Sequence, residues 1–373
     1  MKSFDFINLF LYGFRNLLDK WIYLYTGLFI PKPINFYIVP TLRCNARCKM
    51  CFIWAQKDPE LTYSYWRMAI NQIVGWCGPA AKINIAGGEI LYSSMAFKLL
   101  QYSARKSFMT GLTSNGYLID KKMSVKLIGL NLANINISLD GINDKTVNFL
   151  RGRSDFFEKT INAIKFLVEE RNKKMSRTKI IIKTTIMGPN IKEIYGLVEM
   201  ALKLGVDNVY FQPVLPPFEG NWTENQLRSS VLWPSLSESE VKNEFNRVIG
   251  LKKKIKGFIL NSEVSLISMM NYLLGIPLKI DHPHCEIDLT TLFFEPRGAI
   301  RFCSYYQPIG HIKDLQKIKI EEMVKKSPAL KLRKTMRKCG KNCLVTCMSD
   351  KSISDYFNIF SALVGWSYKH KSV

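Results

Sequence analysis

Histidine is scarce in this chain of 373 residues, and the four present, His282, His284, His311 and His370, all lie in its last quarter. Zinc's commonest nitrogen ligand is therefore missing from any metal site formed upstream. Acidic residues are also few, 30 Asp and Glu against 53 Lys and Arg, which leaves a net charge of +23. A field of that sign disfavours basic partners and attracts acidic or phosphate-rich ones: nucleic acid, anionic lipid, an acidic peptide or an acidic redox protein. Long apolar runs are lacking too. Arg15, Asp19 and Lys20 interrupt the aromatic segment 1–30 before a membrane span of about 20 apolar residues can form. No cleavable signal is recognisable, and no long internal repeat or low-complexity stretch stands out.

What is present supports a large folded unit. Apolar residues make up 47% of the chain, enough for a sizeable core. The nine cysteines fall in groups, which points to metal ligands in a reducing compartment rather than to a disulfide framework. The expected location is cytoplasmic. In the N-terminal segment 1–33, Phe10, Phe14, Leu17, Trp21 and Leu24 recur at helical spacing. Such an amphipathic helix either packs on the body of the protein, the favoured reading, or makes a peripheral contact with the inner membrane face through residues 1–30.

The most informative stretch is Cys44-Asn-Ala-Arg-Cys48-Lys-Met-Cys51, directly after an apolar run at 36–40. Three thiols on one short loop can face a single centre, yet no fourth ligand is near. Structural zinc closes a set of four ligands. Thiolates also suit iron–sulfur clusters, and a four-iron cube held by three cysteines leaves one iron open. The competing reading is three cysteines that merely pack near a strand end.

From residue 36 onward short apolar strands, expected at 36–40, 82–86, 109–114, 133–139, 179–186 and 208–214, alternate with amphipathic helical segments such as 156–169 and 191–204. That βα rhythm predicts a parallel sheet with functional loops at the carboxyl ends of its strands. The Pro- and Trp-rich stretch 214–237 departs from it and reads as a lid or substrate loop. A helix is expected over 238–251. Polar groups fall at successive strand ends: Gly87-Gly88-Glu89, then Ser114-Asn115-Gly116, then Ser138-Leu139-Asp140-Gly141 with Arg151-Gly152 ten residues on. Singly each is an ordinary turn. Together they would converge on one mouth.

The cysteine loop, Gly87-Gly88-Glu89, the segment 138–141 with Arg151 and the βα order resemble the radical S-adenosylmethionine (SAM) superfamily over residues 34 to 215. The resemblance implies an α/β fold, a partial (β/α)6 TIM-like barrel with a small C-terminal Fe–S domain and an N-terminal amphipathic helix. It implies that Cys44, Cys48 and Cys51 hold a [4Fe–4S] cluster whose open iron binds SAM. Gly87, Gly88 and Glu89 correspond to the segment that meets the methionine amino group, and Ser138 and Arg151 to contacts near the ribose and carboxylate. Asn115, Asp140 and Gln212 fit less tightly, and Met50 stands where an aromatic residue is common.

Downstream, Cys285, Cys303, Cys339, Cys343 and Cys347 have a spacing similar to SPASM and twitch extensions, which carry auxiliary [4Fe–4S] clusters. Five thiols suffice for one such cluster, with Cys285, Cys303 and two of the remaining three. Zinc bound by the same residues is the rival reading, and Cys77 reads as a buried hydrophobe. The expected domains are 1–33, the barrel 34–235, a connecting helical and basic region 236–278, the auxiliary domain 279–350 and a tail 351–373. The implied activity is reductive cleavage of SAM to a 5′-deoxyadenosyl radical that abstracts hydrogen from an unassigned peptide or protein, carbohydrate-like or membrane-associated substrate. A flavodoxin or ferredoxin would supply the electron. Peptide-modifying relatives usually carry a winged-helix segment ahead of the barrel, for which 1–33 is too short. No catalytic residue is assigned beyond the weak candidates Asp288 and Glu295. The alternative from another class is a zinc- or Fe–S-containing nucleic-acid-binding module without SAM chemistry.

Overall fold

The computed structural model describes residues 18–20, 22–23, 25–27, 29–56, 59–216, 223–277, 287–339 and 344. Six strands form where the alternation predicted them: β1 (Asn35–Ile38), β2 (Lys82–Ile85), β3 (Thr110–Ser114), β4 (Asn134–Ser138), β5 (Lys179–Ile186) and β6 (Asn208–Pro213). They pair in parallel in sequence order, and helices connect them. These are α1 (Tyr63–Cys77), α2 (Ala96–Lys106), α3 (Lys121–Gly129), α4 (Asp144–Arg151), α5 (Phe156–Lys173) and α6 (Ile194–Lys203). This is the parallel sheet expected from the βα rhythm, in the partial-barrel form that the resemblance implies.

The strand period of two sorts the residues. On β5, Ile180, Ile182, Thr184 and Ile186 are buried, whereas Lys183 and Thr185 between them turn to a central cavity. Phe36 and Ile38 of β1 and Ile83 and Ile85 of β2 are fully buried in the same core. The opposite face is polar: Asn134 donates to Asn136, which donates to Thr113, in a chain across β4 and β3. One face of the sheet is thus core and the other is built to receive something polar.

The chain after the barrel returns to it. Helices α7 (Glu224–Arg228), α8 (Glu238–Lys254) and α9 (Glu263–Leu273) follow β6, and α8 opens on a capping box in which Ser237 and Glu240 satisfy each other's backbone N–H. Of the expected lid, residues 217–222 lie outside the described residues; the remainder holds α7 and places Trp233 edge-on to Tyr272 of α9. Strand β7 (Thr291–Phe294) then pairs in parallel with β1, and β8 (Ala299–Arg301) and β9 (Gly310–His311) continue antiparallel, so the C-terminal region extends the barrel's own sheet. Helix α10 (Ser327–Met336) is tied to the start of β7 by Arg333, which is 1% exposed and bonded at 2.8 Å to the Asp288 carboxylate.

In the N-terminal segment, residues 18–20, 22–23 and 25–26 are helical. Tyr23 is buried beneath the guanidinium of Arg337, 4.8 Å from its ring centroid, an observation that favours packing on the body. Phe10, Phe14, Leu17, Trp21 and Leu24 lie outside the described residues, as do Cys285, Cys343, Cys347 and the tail 351–373. No described helix is long and apolar enough to cross a membrane.

Candidate functional site

The cysteine loop leaves β1 and is fastened to the barrel mouth on two sides. On one side Gly88 N–H donates to Thr41 O at 2.9 Å and Glu89 N–H to Arg43 O at 2.7 Å. Two glycines are needed here, because a Cβ on Gly87 would sit 2.6 Å from Thr41 O and one on Gly88 2.4 Å from Arg43 O. The close approach is to the 41–43 segment that leads into the cysteine loop, and both glycines also line the cavity described next. On the other side the N–H groups of Arg47 and Lys49 bond the carbonyls of Arg151 and Leu150 at the end of α4, satisfying acceptors a helix C-terminus leaves open. Gly152 caps that helix at φ +72°, with Arg47 O only 2.5 Å from where its Cβ would be.

A cavity of 440 Å³ opens at the carboxyl ends of the strands. Cys44, Cys48 and Cys51 line it together with Gly87, Gly88, Asn115, Ser138, Arg151 and Gln212, so the structure brings these predicted residues to one place. Glu89 and Asp140 lie behind the lining, both fully buried. Glu89 accepts from Leu91 N at 3.1 Å, Ser114 Oγ at 2.9 Å and Asn115 N at 2.7 Å, so it splices the ends of β2 and β3. Burial pushes its pKa up, against those hydrogen bonds. Asp140 accepts from Thr185 N at 2.9 Å and pairs with Arg151 Nη2 at 2.5 Å. Both carboxylates face protein donors, which is why neither reaches the cavity.

Arg151 links this ion pair to the loop, since its Nη1 lies 3.7 Å from Cys48 Sγ. Burial alone would lower its pKa, but Asp140 and Cys48 hold it above the ordinary arginine value. Two further donors face Cys44 Sγ, Ala46 N at 3.4 Å and Asn115 Nδ2 at 4.0 Å. Burial raises all three thiols, Cys44 and Cys51 to about 11. Asn45 Nδ2 and Arg151 Nε are buried beside the loop without an acceptor. Among the described residues no three His, Cys, Asp or Glu side chains are grouped to hold a single metal ion. Three soft thiols around a shared space, with buried N–H groups lacking acceptors, fit a polynuclear cluster whose sulfides would accept those bonds.

Cys303 lines the same cavity, while Cys339 is half-buried and does not. Asp288 and Glu295, the candidate acid and base, are instead bound to Arg333 and Arg301 and lie off the cavity. Sequence reasoning missed Lys183, Thr185 and Tyr37, which also line it, as does Thr113 at the end of β3. Their signal was available in the alternation, since each occupies the face of its strand opposite the buried aliphatic residues. Cys77, at the end of α1, is buried as expected.

Comparison with known proteins bears on the family and the fold. The sequence model of the Radical SAM superfamily matches residues 38–188. The Fe-coproporphyrin III synthase of Methanosarcina barkeri is 24% identical over 223 residues, 58% of this chain and 52% of that protein. The antilisterial bacteriocin subtilosin biosynthesis protein AlbA of Bacillus subtilis is 23% identical over 278 residues, 74% and 56% of the two chains. The chain thus spans about half the length of the curated relatives it matches. Among solved structures, Streptococcus suis SuiB bound to S-adenosylmethionine superposes with a TM-score of 0.64 at 16% identity, covering 89% of this chain and 78% of that one. That likeness speaks to the fold.

Proposed function

We propose that this chain, whose residues 38–188 form a radical SAM domain, is an enzyme that cleaves SAM reductively and abstracts a hydrogen atom from a substrate held in the barrel mouth. The observation that carries the reading is the convergence of Cys44, Cys48, Cys51, Gly87, Gly88, Ser138 and Arg151 on one cavity at the carboxyl ends of parallel strands. When bound, a [4Fe–4S] cluster with SAM supplies an electron to the sulfonium and so a 5′-deoxyadenosyl radical.

The chain's own residues do the rest. Cys44, Cys48 and Cys51 hold the cluster, and N–H groups of Ala46, Asn115 and Arg151 directed at their sulfurs stabilise the thiolates. Glu89 and Asp140 act as positioning residues: one fixes the β2 and β3 ends, the other holds Arg151 against Cys48. Ser138, Asn115 and Gln212 offer polar contacts to SAM from the cavity wall. In this reading Cys303, which lines the cavity, and Cys339 join Cys285, Cys343 and Cys347 as the pool for an auxiliary cluster. The name of AlbA, a bacteriocin biosynthesis protein, favours a bacteriocin precursor as substrate.

Electron delivery fits an acidic donor such as flavodoxin or ferredoxin. The outward side chains of the cysteine loop, Arg43, Arg47 and Lys49, are exposed, and Arg47 and Lys49 have aromatic neighbours, Trp54 and Phe149, but no carboxylate partner among the described residues. Anaerobic reconstitution followed by iron and sulfide counts and a 5′-deoxyadenosine assay tests the reading. The wild type should bind about four irons on the barrel site and release 5′-deoxyadenosine, and replacing Cys44, Cys48 and Cys51 with Ala should abolish release. Stoichiometric zinc without SAM cleavage would overturn it in favour of a metal-binding module.

A further inference from the structure

We propose that Lys183 anchors a carboxylate of the substrate, so that the molecule losing hydrogen is an acid or carries an acidic side chain. This rests on reading the cavity as the site of radical chemistry. Lys183 lies on the cavity-facing side of β5, opposite Ser138 on β4 and Tyr210 on β6 in the strand registers. Its Nζ is 5.4 Å from the Tyr210 ring centroid, and among the described residues that ring is its partner.

The charge balance of the cavity sets Lys183 apart. Of the two cations that line the wall among the described residues, Arg151 is matched by Asp140 at 2.5 Å. Among the described residues Lys183 has no such match, because Asp140 and Glu89 are buried behind the wall on other donors and no described carboxylate lines the cavity. A desolvated ammonium without a counter-charge is costly, and burial accordingly lowers the Lys183 pKa from the ordinary lysine value. An aliphatic residue would fill the position at no such cost. An anion entering the cavity removes the penalty and gains a charge-assisted hydrogen bond.

Thr185 strengthens the case. Its Oγ1 accepts from Gln212 Nε2 at 3.0 Å, which leaves its own O–H to donate, and it lines the cavity on the same face of β5. One ammonium and one hydroxyl suit a singly charged carboxylate. A phosphate monoester brings close to two charges and three acceptor oxygens, more than these two donors satisfy.

The test uses wild-type protein, reconstituted anaerobically and saturated with SAM, treated with acetic anhydride. Acetylation of Lys183 is read by peptide mass spectrometry against exposed Lys145 as the internal standard. Glutarate at constant ionic strength is expected to protect Lys183 saturably, by about tenfold at ten times its dissociation constant; uncharged glutaramide is expected to leave the rate unchanged. Full protection by SAM alone would overturn the proposal, since Lys183 would then serve SAM's own carboxylate. Protection by inorganic phosphate but not glutarate, or by neither, would overturn it as well. The labelling also runs on cluster-free protein, so a wild type that releases no 5′-deoxyadenosine sinks the radical reading without deciding the anion site.

Discussion

The ion pair between Asp140 and Arg151 makes the sharpest prediction, because it is buried, short and one hydrogen bond away from the Cys48 thiol. Asp140 is fully buried, with one oxygen on Thr185 N–H and the other on Arg151. Asp140→Asn keeps an acceptor for Thr185 and removes the charge facing the guanidinium. An unmatched buried cation costs about 3 to 5 kcal/mol. Arg151 would relieve that cost by leaving Cys48, whose thiol it now steadies at 3.7 Å. Asp140→Asn should therefore lower unfolding free energy by about 3 kcal/mol in urea denaturation and reduce iron content after reconstitution. Arg151→Met removes the stranded charge, so the double variant should be less damaged than the sum of the single ones, by about 1 to 3 kcal/mol of coupling. Additive losses, or an Asp140→Asn protein with wild-type stability and iron content, would refute the reasoning.

Three further outcomes follow from the same geometry. Gly88→Ala places a Cβ within 2.5 Å of two loop carbonyls and should cost about 1 to 3 kcal/mol and most of the cluster; Gly75→Ala on α1, with nothing within 4 Å, should be neutral or stabilising in the same thermal melt. Cluster-free protein should lose stability as pH rises from about 9 to 11, because the folded state retains the Cys51 proton that the unfolded chain releases from 9.0 upward. Burial is the cause, the contribution at stake is about 3 kcal/mol, and a Cys51→Ala protein with the same alkaline slope would count against it. Arg47→Glu with Lys49→Glu should depress SAM cleavage driven by flavodoxin more than cleavage driven by dithionite, and the gap should shrink at high salt; an unchanged ratio would remove this face as the donor's dock.

Much of the barrel was legible because its strands carry a simple code. Six short apolar runs separated by amphipathic segments gave strand positions within a residue or two of those observed, and β5 coincides at 179–186. The roles of Gly87 and Gly88 were half legible: the sequence shows that backbone must pass close to something, but only the fold shows that it is the 41–43 segment. Glu89 and, less tightly, Asp140 were assigned to SAM binding by the resemblance. Their partners, Asn115 N–H after β3 and Arg151 at the end of α4, lie 26 and 11 residues away in sequence, and such pairings emerge only when strands and helices pack. Asp288 misled for the same reason, since Arg333, 45 residues downstream, claims it.

Lys183 shows what local patterns conceal. In sequence it is one lysine of a basic chain, in a strand reading Lys-Ile-Ile-Ile-Lys-Thr-Thr-Ile, where a charged residue looks like a solvated edge. A central strand has no solvated edge. With β4 on one side and β6 on the other, and with Ile182 and Thr184 packed outward, position 183 can only face the lumen. A net charge of +23 makes surface lysines cheap, but it explains nothing about a lysine inside the barrel. Surface charge is spread through water and screened within about 8 Å at physiological salt, whereas Lys183 acts undiluted on whatever enters. In the proposed reading the two kinds of charge do separate work: Arg47 and Lys49 outside suit an acidic electron donor, and Lys183 inside suits an acidic substrate.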